Sequence, residues 1–251
     1  MKLLSLETTT DTGSVALHWQ NAVLERRAQG STTHSDWLLP AVGSLLAEAG
    51  GTLAQLDAIA VSIGPGSFTG VRLACAVAQG LAVACDKPLI AVPTLQAMAW
   101  QRDPGFYLVC VDARMQEVYW SACEVRAEGE GELGVRQVVE HLAAGVGVPE
   151  NLPLPPHISS SHTNVDTNQT IRWTGIGDAF AQYASRMPAA VLQQLAAVDA
   201  EVRPSAAAVG GLAQQALAKQ QFVDPALLTP LYVRNKVAQT TAERLAAGGR
   251  S

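Results

Sequence analysis

Apolar and polar residues first follow a strand pattern along this chain and then change to a helical one. Residues 2–8 and 14–19 are apolar runs on either side of a polar turn, and residues 23–28 predict a third strand. Residues 33–49 carry apolar positions at helical spacing and are followed by two glycines, so a helix is expected there. Pro40 lies beyond its first turn, and this helix is therefore expected either to begin late or to kink.

Strands and helices then alternate through the rest of the first half. Residues 58–63 and 89–92 predict short buried strands. Residues 71–84 predict a long helix, and Thr94 is suited to cap another that runs to Trp100. This alternation is typical of an α/β fold.

The opening layout of the chain recurs near its middle. Residues 107–112 and 118–125 form a strand that ends in an acid, a polar turn and a returning strand, as residues 2–19 do. We interpret this as an internal duplication with a boundary near residues 103–105; chance similarity between two hairpins is the alternative. The duplication predicts two similar α/β lobes.

The second half is less regular in sequence. A strand is expected at 171–175, a helix from Asp178 to about residue 185, and a helix from 205 to 219. Residues 149–169 predict an exposed insertion and residues 235–251 a flexible tail. The expected domains are therefore an N-terminal lobe at 1–103 and a C-terminal lobe at 104–234.

Composition bounds the class of protein. Apolar residues make up 48% and charged residues 16%, which is enough to form a core and excludes wholesale disorder. The net charge of −5 argues against a protein whose main task is to neutralise nucleic-acid phosphates. Four cysteines without a C-x-x-C pair, and apolar runs too short for a signal peptide or a membrane span, predict a cytoplasmic location.

A glycine-rich loop between a strand and a helix is the strongest local signal. Its backbone N–H groups at a helix N-terminus, two hydroxyls and one guanidinium suit an anion such as phosphate. The spacing matches neither of the two common nucleotide-binding loops, and a tight strand-to-helix turn with packing glycines is the open alternative. The candidate phosphate or nucleotide residues are Gly64, Gly66, Ser67, Thr69, Gly70 and Arg72.

Two acids end equivalent strands of the repeated layout. Glu7 and Asp112 are candidates for carboxylates that face a cleft between the lobes, and solvated turn residues are the alternative reading. The five histidines show no metal-binding spacing, so no metal site is predicted. No G-x-S-x-G is present, and no catalytic residue is assigned.

The helix at 71–84 is apolar around nearly its whole circumference and must be covered on all sides. Either the helix at about 34–49 completes its cover within the chain, or another chain does. The second alternative predicts a partner interface on these two helices, formed by His34, Leu38, Leu39, Val42, Leu45, Ala74, Ala78 and Leu81.

Several motifs resemble those of the TsaB (YeaZ) family, in order and over nearly the whole chain. They are the opening strand at 3–9, His34 with residues 38–40, the loop at 64–72, residues 78–81, residues 111–114 with 117–119, and residues 230–234. The resemblance implies the actin-like ATPase (ASKHA) superfold with two ribonuclease-H-like lobes. Glu7 stands where the family usually has Asp, so metal coordination from that position is not expected.

The family resemblance also implies a function. It implies a non-catalytic, cytoplasmic subunit for transfer of a threonylcarbamoyl group to N6 of the tRNA adenosine next to the anticodon. Such a subunit forms a heterodimer with the catalytic TsaD and works with the ATPase TsaE. No tightly bound cofactor is expected, ATP or ADP would lie at the partner interface, and tRNA would be met only through the complex. A homodimer in isolation is an alternative that the resemblance leaves open.

An independent enzyme is the alternative function. Glu7, Asp112 and the glycine-rich loop would then belong to an ATP-dependent small-molecule kinase on an actin-like fold. The H-x-x-x-H metal motif expected of TsaD is not present in the sequence, which favours the non-catalytic subunit.

Overall fold

The computed structural model describes residues 1–28, 33–128, 135–158 and 172–234. Over these ranges the chain forms two five-stranded sheets, each with helices packed against it. Most of the predicted insertion, from residue 159 to 169, and the predicted tail at 235–251 lie outside the described residues.

The first sheet is built from the N-terminal half of the chain. Its strands follow the order β3-β2-β1-β4-β5, with β2 antiparallel to β1 and β3, and β4 parallel to β1 and β5. All five strands agree with the sequence prediction to within one or two residues at each end. Their bounds are β1 Lys2–Glu7, β2 Ser14–Trp19, β3 Ala22–Arg27, β4 Ala58–Ser62 and β5 Leu89–Val92.

The second sheet repeats the layout of the first. Its order, β10-β9-β6-β7-β8, follows the same path, with an antiparallel meander on one side and parallel strands on the other. The two-lobed duplication is thereby confirmed. The sequence prediction missed β8 and β10, whose polar or exposed positions hide the strand pattern. The bounds are β6 Gly105–Asp112, β7 Val118–Glu128, β8 Val135–Gly147, β9 Trp173–Ile176 and β10 Leu195–Asp199.

Within the described ranges, six α-helices cover the sheets. In chain order they are α1 His34–Glu48, α2 Phe68–Cys85, α3 Thr94–Trp100, α4 Ala179–Tyr183, α5 Ala189–Gln193 and α6 Ala206–Ala218. Side chains of α1 and α2 form one core with one face of the first sheet, while α6 and α3 pack against the opposite face. The helix α3 also packs on the second sheet and so lies between the lobes.

The ends of α1 and α2 show how local sequence sets helix boundaries. Thr33 caps α1, since its hydroxyl accepts a hydrogen bond from the Asp36 N–H, and the helix then continues through Pro40. The late start considered for this helix is therefore wrong. Ser67 caps α2 in the same way, so α2 begins at Phe68, three residues before the predicted start.

The helix α6 lies on the first sheet although it follows the second lobe in the chain. It packs against β1, β2, β4 and β5. Two glycines permit this close approach: a Cβ on Gly210 would lie 2.1 Å from His18 Nε2, and one on Gly211 would lie 2.1 Å from the Trp100 ring. The sequence-based lobe at 104–234 assigned this helix to the second lobe, so its position is a finding of the tertiary structure.

The helix α2 has 18 residues and is apolar enough, by length and composition, to cross a membrane. It is the one such helix in the described part of the chain. In the fold, six residues of α2 are buried and the others are partly or fully exposed; the buried ones are Gly70, Val71, Ala74, Cys75, Ala78 and Ala82.

Candidate functional site

A cavity of about 540 Å³ lies between the two lobes. Residues 9–12 after β1 and the start of α2 border it from the first lobe. Residues 111–115 at the end of β6, together with Asp178, border it from the second lobe. The C-terminal segment 231–234 runs along a further side. The volume of the cavity is in the range of small-molecule binding sites.

Two glycines of the loop at 64–72 pack against the end of β1. A Cβ on Gly66 would lie 2.5 Å from the Thr9 carbonyl oxygen, and one on Gly70 would lie 1.8 Å from that of Thr8. The Ser67 N–H donates to the Thr9 carbonyl (2.6 Å), and the Thr8 hydroxyl donates to the Gly70 carbonyl (2.7 Å). These contacts support the packing interpretation of the glycines.

Only part of the predicted phosphate loop borders the cavity. Gly66 and Ser67 line it, while Gly64, Thr69, Gly70 and Arg72 do not. The Arg72 guanidinium lies 3.2 Å from the centre of the Phe68 ring and 4.9 Å from that of Tyr232, and it donates to the Phe68 carbonyl. The guanidinium thus holds two aromatic rings together, and phosphate binding by the loop stays a prediction.

Glu7 does not face the cleft, and this part of the sequence prediction is corrected. Its side chain is fully buried, and it is covered by Thr9, whose N–H and hydroxyl both donate to Glu7 Oε1. The other carboxylate oxygen, Oε2, has no hydrogen-bond partner among the described residues. Burial raises the pKa of Glu7 to about 7 against the opposing effect of the Thr9 hydrogen bonds.

Asp112 does border the cavity, as predicted, and a network of donors holds it. Its Oδ1 accepts from the Arg114 N–H and from the Tyr183 hydroxyl, each at 2.9 Å. Asp178 in turn accepts from the Asp112 N–H at 2.9 Å. The sequence predicts Asp178 as a helix cap; in the fold its side chain makes no capping hydrogen bond, accepts the Asp112 N–H of β6 and borders the cavity.

A strained turn carries charged groups to the mouth of the cavity. Arg114, Met115 and Gln116 have φ of +60°, +53° and +60°, a left-handed conformation that non-glycine residues seldom adopt. Arg114 forms an ion pair with Asp11 of the other lobe at 2.5 Å, and this hydrogen bond raises the pKa of the guanidinium. Arg234 fastens the turn, donating to the Ala113 carbonyl at 3.1 Å and to the Glu117 carboxylate.

The predicted partner interface needs correction. The structure buries Leu38, Val42, Leu45, Ala74 and Ala78 in the core between α1, α2 and the first sheet, where no partner can contact them. The pattern that suggested an interface is thus the inward face of each helix.

The remaining predicted interface residues have other surroundings. His34 Nε2 lies 2.9 Å from the Thr10 carbonyl and so packs on the β1–β2 turn. Leu81 is partly buried against the core of the first lobe, and Leu39 is 52% exposed.

No group of three His, Cys, Asp or Glu side chains that could hold a metal ion occurs in the described ranges. The cavity instead combines acids, arginines, threonine hydroxyls and aromatic rings.

Comparisons with known proteins agree with the two-lobed architecture. Residues 27–242 match the family model described as TsaD, tRNA N6-adenosine threonylcarbamoyltransferase. The chain is 39% identical over 126 residues to the tRNA threonylcarbamoyladenosine biosynthesis protein TsaB of Escherichia coli, covering 48% of this chain and 54% of that one. The Haemophilus influenzae TsaB is 40% identical over 125 residues, with 48% and 53% covered. The chain spans about half the length of these curated relatives that it matches.

A solved structure matches over almost its entire length. YeaZ from Pseudomonas aeruginosa superposes with a TM-score of 0.76 at 34% identity, covering 92% of this chain and 99% of that one. The likeness therefore includes both lobes. The chain belongs to the family of the TsaD model and, by these relatives, to its TsaB (YeaZ) branch.

Proposed function

We propose that this protein is a non-catalytic subunit in tRNA threonylcarbamoyladenosine biosynthesis. It would pair with a TsaD-type catalytic subunit and support transfer of the threonylcarbamoyl group to N6 of the adenosine next to the anticodon. The observation that carries this proposal is membership of the TsaB branch, with about 40% identity to curated TsaB proteins.

The surface that supports pairing is the outward face of α1 and α2. Leu39 and Val83 are 52% and 72% exposed there. Ala76 is also exposed, and a Cβ on Gly43 or Gly80 would meet nothing within 4 Å. An apolar face of small residues lets the backbone of a partner helix approach closely. We propose that this face, in place of the buried residues named above, contacts the TsaD-type subunit.

The same face is proposed to form a homodimer when the partner is missing. A TsaE-type ATPase would join the pair, ATP or ADP would bind at the joint between subunits, and tRNA would be contacted through the complex. The net charge of −5 supports this indirect route to tRNA. The proposed location is the cytoplasm.

Reconstituted tRNA threonylcarbamoylation tests the function. The reaction supplies tRNA, ATP and an activated threonylcarbamoyl donor to a TsaD-type subunit and a TsaE-type ATPase, with and without this protein, and to this protein as the sole protein. Formation of modified adenosine only when this protein and the TsaD-type subunit are both present is the expected result. Product that forms equally well without this protein would contradict the proposal.

A separate assay of the isolated protein with ATP and candidate small molecules decides the kinase alternative. Hydrolysis of ATP, or transfer of its phosphate to a small molecule, by the isolated protein would favour an enzyme in its own right.

A further inference from the structure

The cavity between the lobes is bordered by equal numbers of acids and bases. They are Asp11, Asp112, Asp178, Arg114, Arg203 and Arg234. Most of these charges are already paired: Arg114 lies within ion-pair distance of Asp11 and Asp112, and Arg234 pairs with Glu117. Two charges remain without an ion pair within 4 Å in the described part of the chain, the Arg203 guanidinium and the Asp178 carboxylate.

Within the described residues, Arg203 keeps N–H donors and Asp178 keeps an acceptor oxygen that make no hydrogen bond and could bind a ligand. Arg203 uses Nη1 to donate to the carbonyls of Ala200 (2.6 Å) and Val202 (3.1 Å), which fixes the side chain at the cavity wall. Its other guanidinium nitrogens have no hydrogen bond to the described residues. Asp178 accepts one backbone N–H at Oδ1, and its Oδ2 accepts none from the described residues. One fixed cation and one fixed anion therefore border the same space.

A further part of the cavity lining is apolar and aromatic. Phe68 and Tyr232 border the cavity and are each 51% exposed, while Arg72, which stacks against both rings, does not border it. Arg72 therefore covers the rings from outside the cavity. Val71 and Leu231 extend this wall. The cavity lining thus combines unpaired charges with an apolar, aromatic surface.

We propose that this cavity binds an α-amino acid with an apolar side chain. The carboxylate would accept paired hydrogen bonds from Arg203, the ammonium group would donate to Asp178, and the side chain would pack on the wall of Phe68 and Tyr232. A zwitterion satisfies both unpaired charges, whereas a simple anion or cation leaves one of them facing the dehydrated ligand. The proposal goes beyond the subunit function, since it assigns a small-molecule site to this protein itself.

Titration calorimetry on the full-length protein with leucine and two analogues tests the proposal. 4-Methylpentanoate is leucine without the amino group, and 3-methylbutylamine is leucine without the carboxylate. Leucine is expected to bind at least about tenfold more tightly than either analogue, because each analogue loses one charge-assisted hydrogen bond. Phenylalanine is expected to bind comparably and serine more weakly, because serine does not reach the apolar wall.

Two variants link binding to the proposed residues. Asp178→Asn keeps the acceptor for the Asp112 N–H but removes the charge, and Arg203→Gln removes the guanidinium. Each is expected to raise the dissociation constant of leucine about tenfold or more, with circular dichroism and melting temperature recorded to confirm folding. Arg186→Gln is the matched control, since Arg186 pairs with Glu150 and does not border the cavity.

Four outcomes would overturn the proposal. They are equal binding of 4-methylpentanoate and leucine, no heat with any of the three amino acids at about 10 mM, unchanged leucine affinity in both folded variants, and displacement of leucine by ATP at lower concentration than by phenylalanine. None of these depends on the tRNA reaction, so failure here is separate from failure of the subunit proposal.

Discussion

Glu7 is a carboxyl group buried inside the first lobe, and the described residues donate hydrogen bonds to only one of its two oxygens. Desolvation favours its protonated form and raises its pKa to about 7, although Thr9 donates twice to Oε1. The folded protein therefore binds a proton at this site more tightly than the unfolded chain, whose ordinary pKa is 4.5. The stability that the protonated carboxyl provides is complete below about pH 4.5 and is lost as pH rises through 7.

We expect Glu7→Gln to remove this pH dependence. At pH 8 the variant should be more stable than the parent protein by up to about 3 kcal/mol, the equivalent of the pKa shift, and at pH 4.5 the difference should vanish. Denaturant unfolding of both proteins between pH 4.5 and 8 measures this difference in the free energy of unfolding. Glu48→Gln, a change at a 43% exposed carboxylate, is the control. A constant difference between Glu7→Gln and the parent at all pH values would contradict the interpretation.

Gly70 determines how closely the glycine-rich loop approaches β1. Gly70→Ala places a Cβ 1.8 Å from the Thr8 carbonyl oxygen, so the backbone must move. The free energy of unfolding is expected to fall by about 3 kcal/mol or more. Gly80→Ala, in the same helix with no atom within 4 Å of the new Cβ, should instead stabilise by about 0.5–1 kcal/mol. Thermal and denaturant unfolding compare the two variants. Similar stability changes for both would argue against the packing role of Gly70.

At the scale of the element, α2 has two faces with different tasks. Its inward face, with Ala74 and Ala78, is fully buried against the first sheet, while Ala76, Gly80 and Val83 lie outside. Helical periodicity shows that the segment is apolar nearly all round. The direction of each face is set only by where the sheet and α1 lie.

Ala76→Glu is therefore expected to abolish pairing with a TsaD-type subunit while leaving the protein folded. Ala78→Glu, two residues along, should unfold the first lobe, because it buries a charge in the core. Ala190→Glu on α5 adds the same charge to an exposed position of the second lobe and should change neither property. Size-exclusion chromatography with the partner and circular dichroism measure both effects. Full pairing by a folded Ala76→Glu variant would exclude this face as the interface.

At the scale of the molecule, the two lobes are joined at the cavity by few polar links. Asp11 pairs with Arg114 across it, but both side chains are more than half exposed, so this link should contribute less than about 1 kcal/mol and weaken with salt. The C-terminal segment makes a more protected link: the Leu231 N–H donates to the Ile63 carbonyl in the first lobe (2.7 Å), and Arg234 bonds to the β6–β7 turn in the second.

We expect Arg234→Gln to loosen the turn at 113–117. The change removes the hydrogen bonds that Arg234 donates to the Ala113 carbonyl and the Glu117 carboxylate, and with them part of the support of the left-handed backbone of the turn. A loss of about 1–3 kcal/mol is expected, with faster amide hydrogen exchange in this turn than elsewhere in the second sheet. Arg26→Gln, which removes an exposed ion pair with Glu48 in the first lobe, serves as the control. Unchanged exchange in the turn would show that other contacts hold it.

The sequence by itself determined the order of most elements, the duplication of the lobes and the family. These features depend on the spacing of apolar residues, on helix caps such as Thr33 and Ser67, and on a motif such as 64–72. Each of these signals involves only residues that are close together in the chain. It did not reveal β8 and β10, where exposed or polar positions interrupt the strand pattern.

Only the tertiary structure decided which face of each helix or strand is buried and which side chains border the cavity. Glu7 and Asp112 end equivalent strands, yet one carboxyl is buried beneath Thr9 and the other borders the cavity. Asp178 follows β9 and Arg203 follows β10, and these parallel strands end at the same edge of the second sheet. Both residues therefore border the same cavity. Burial and charge pairing depend on residues that are far apart in the chain, so the local pattern of apolar and polar positions does not predict them.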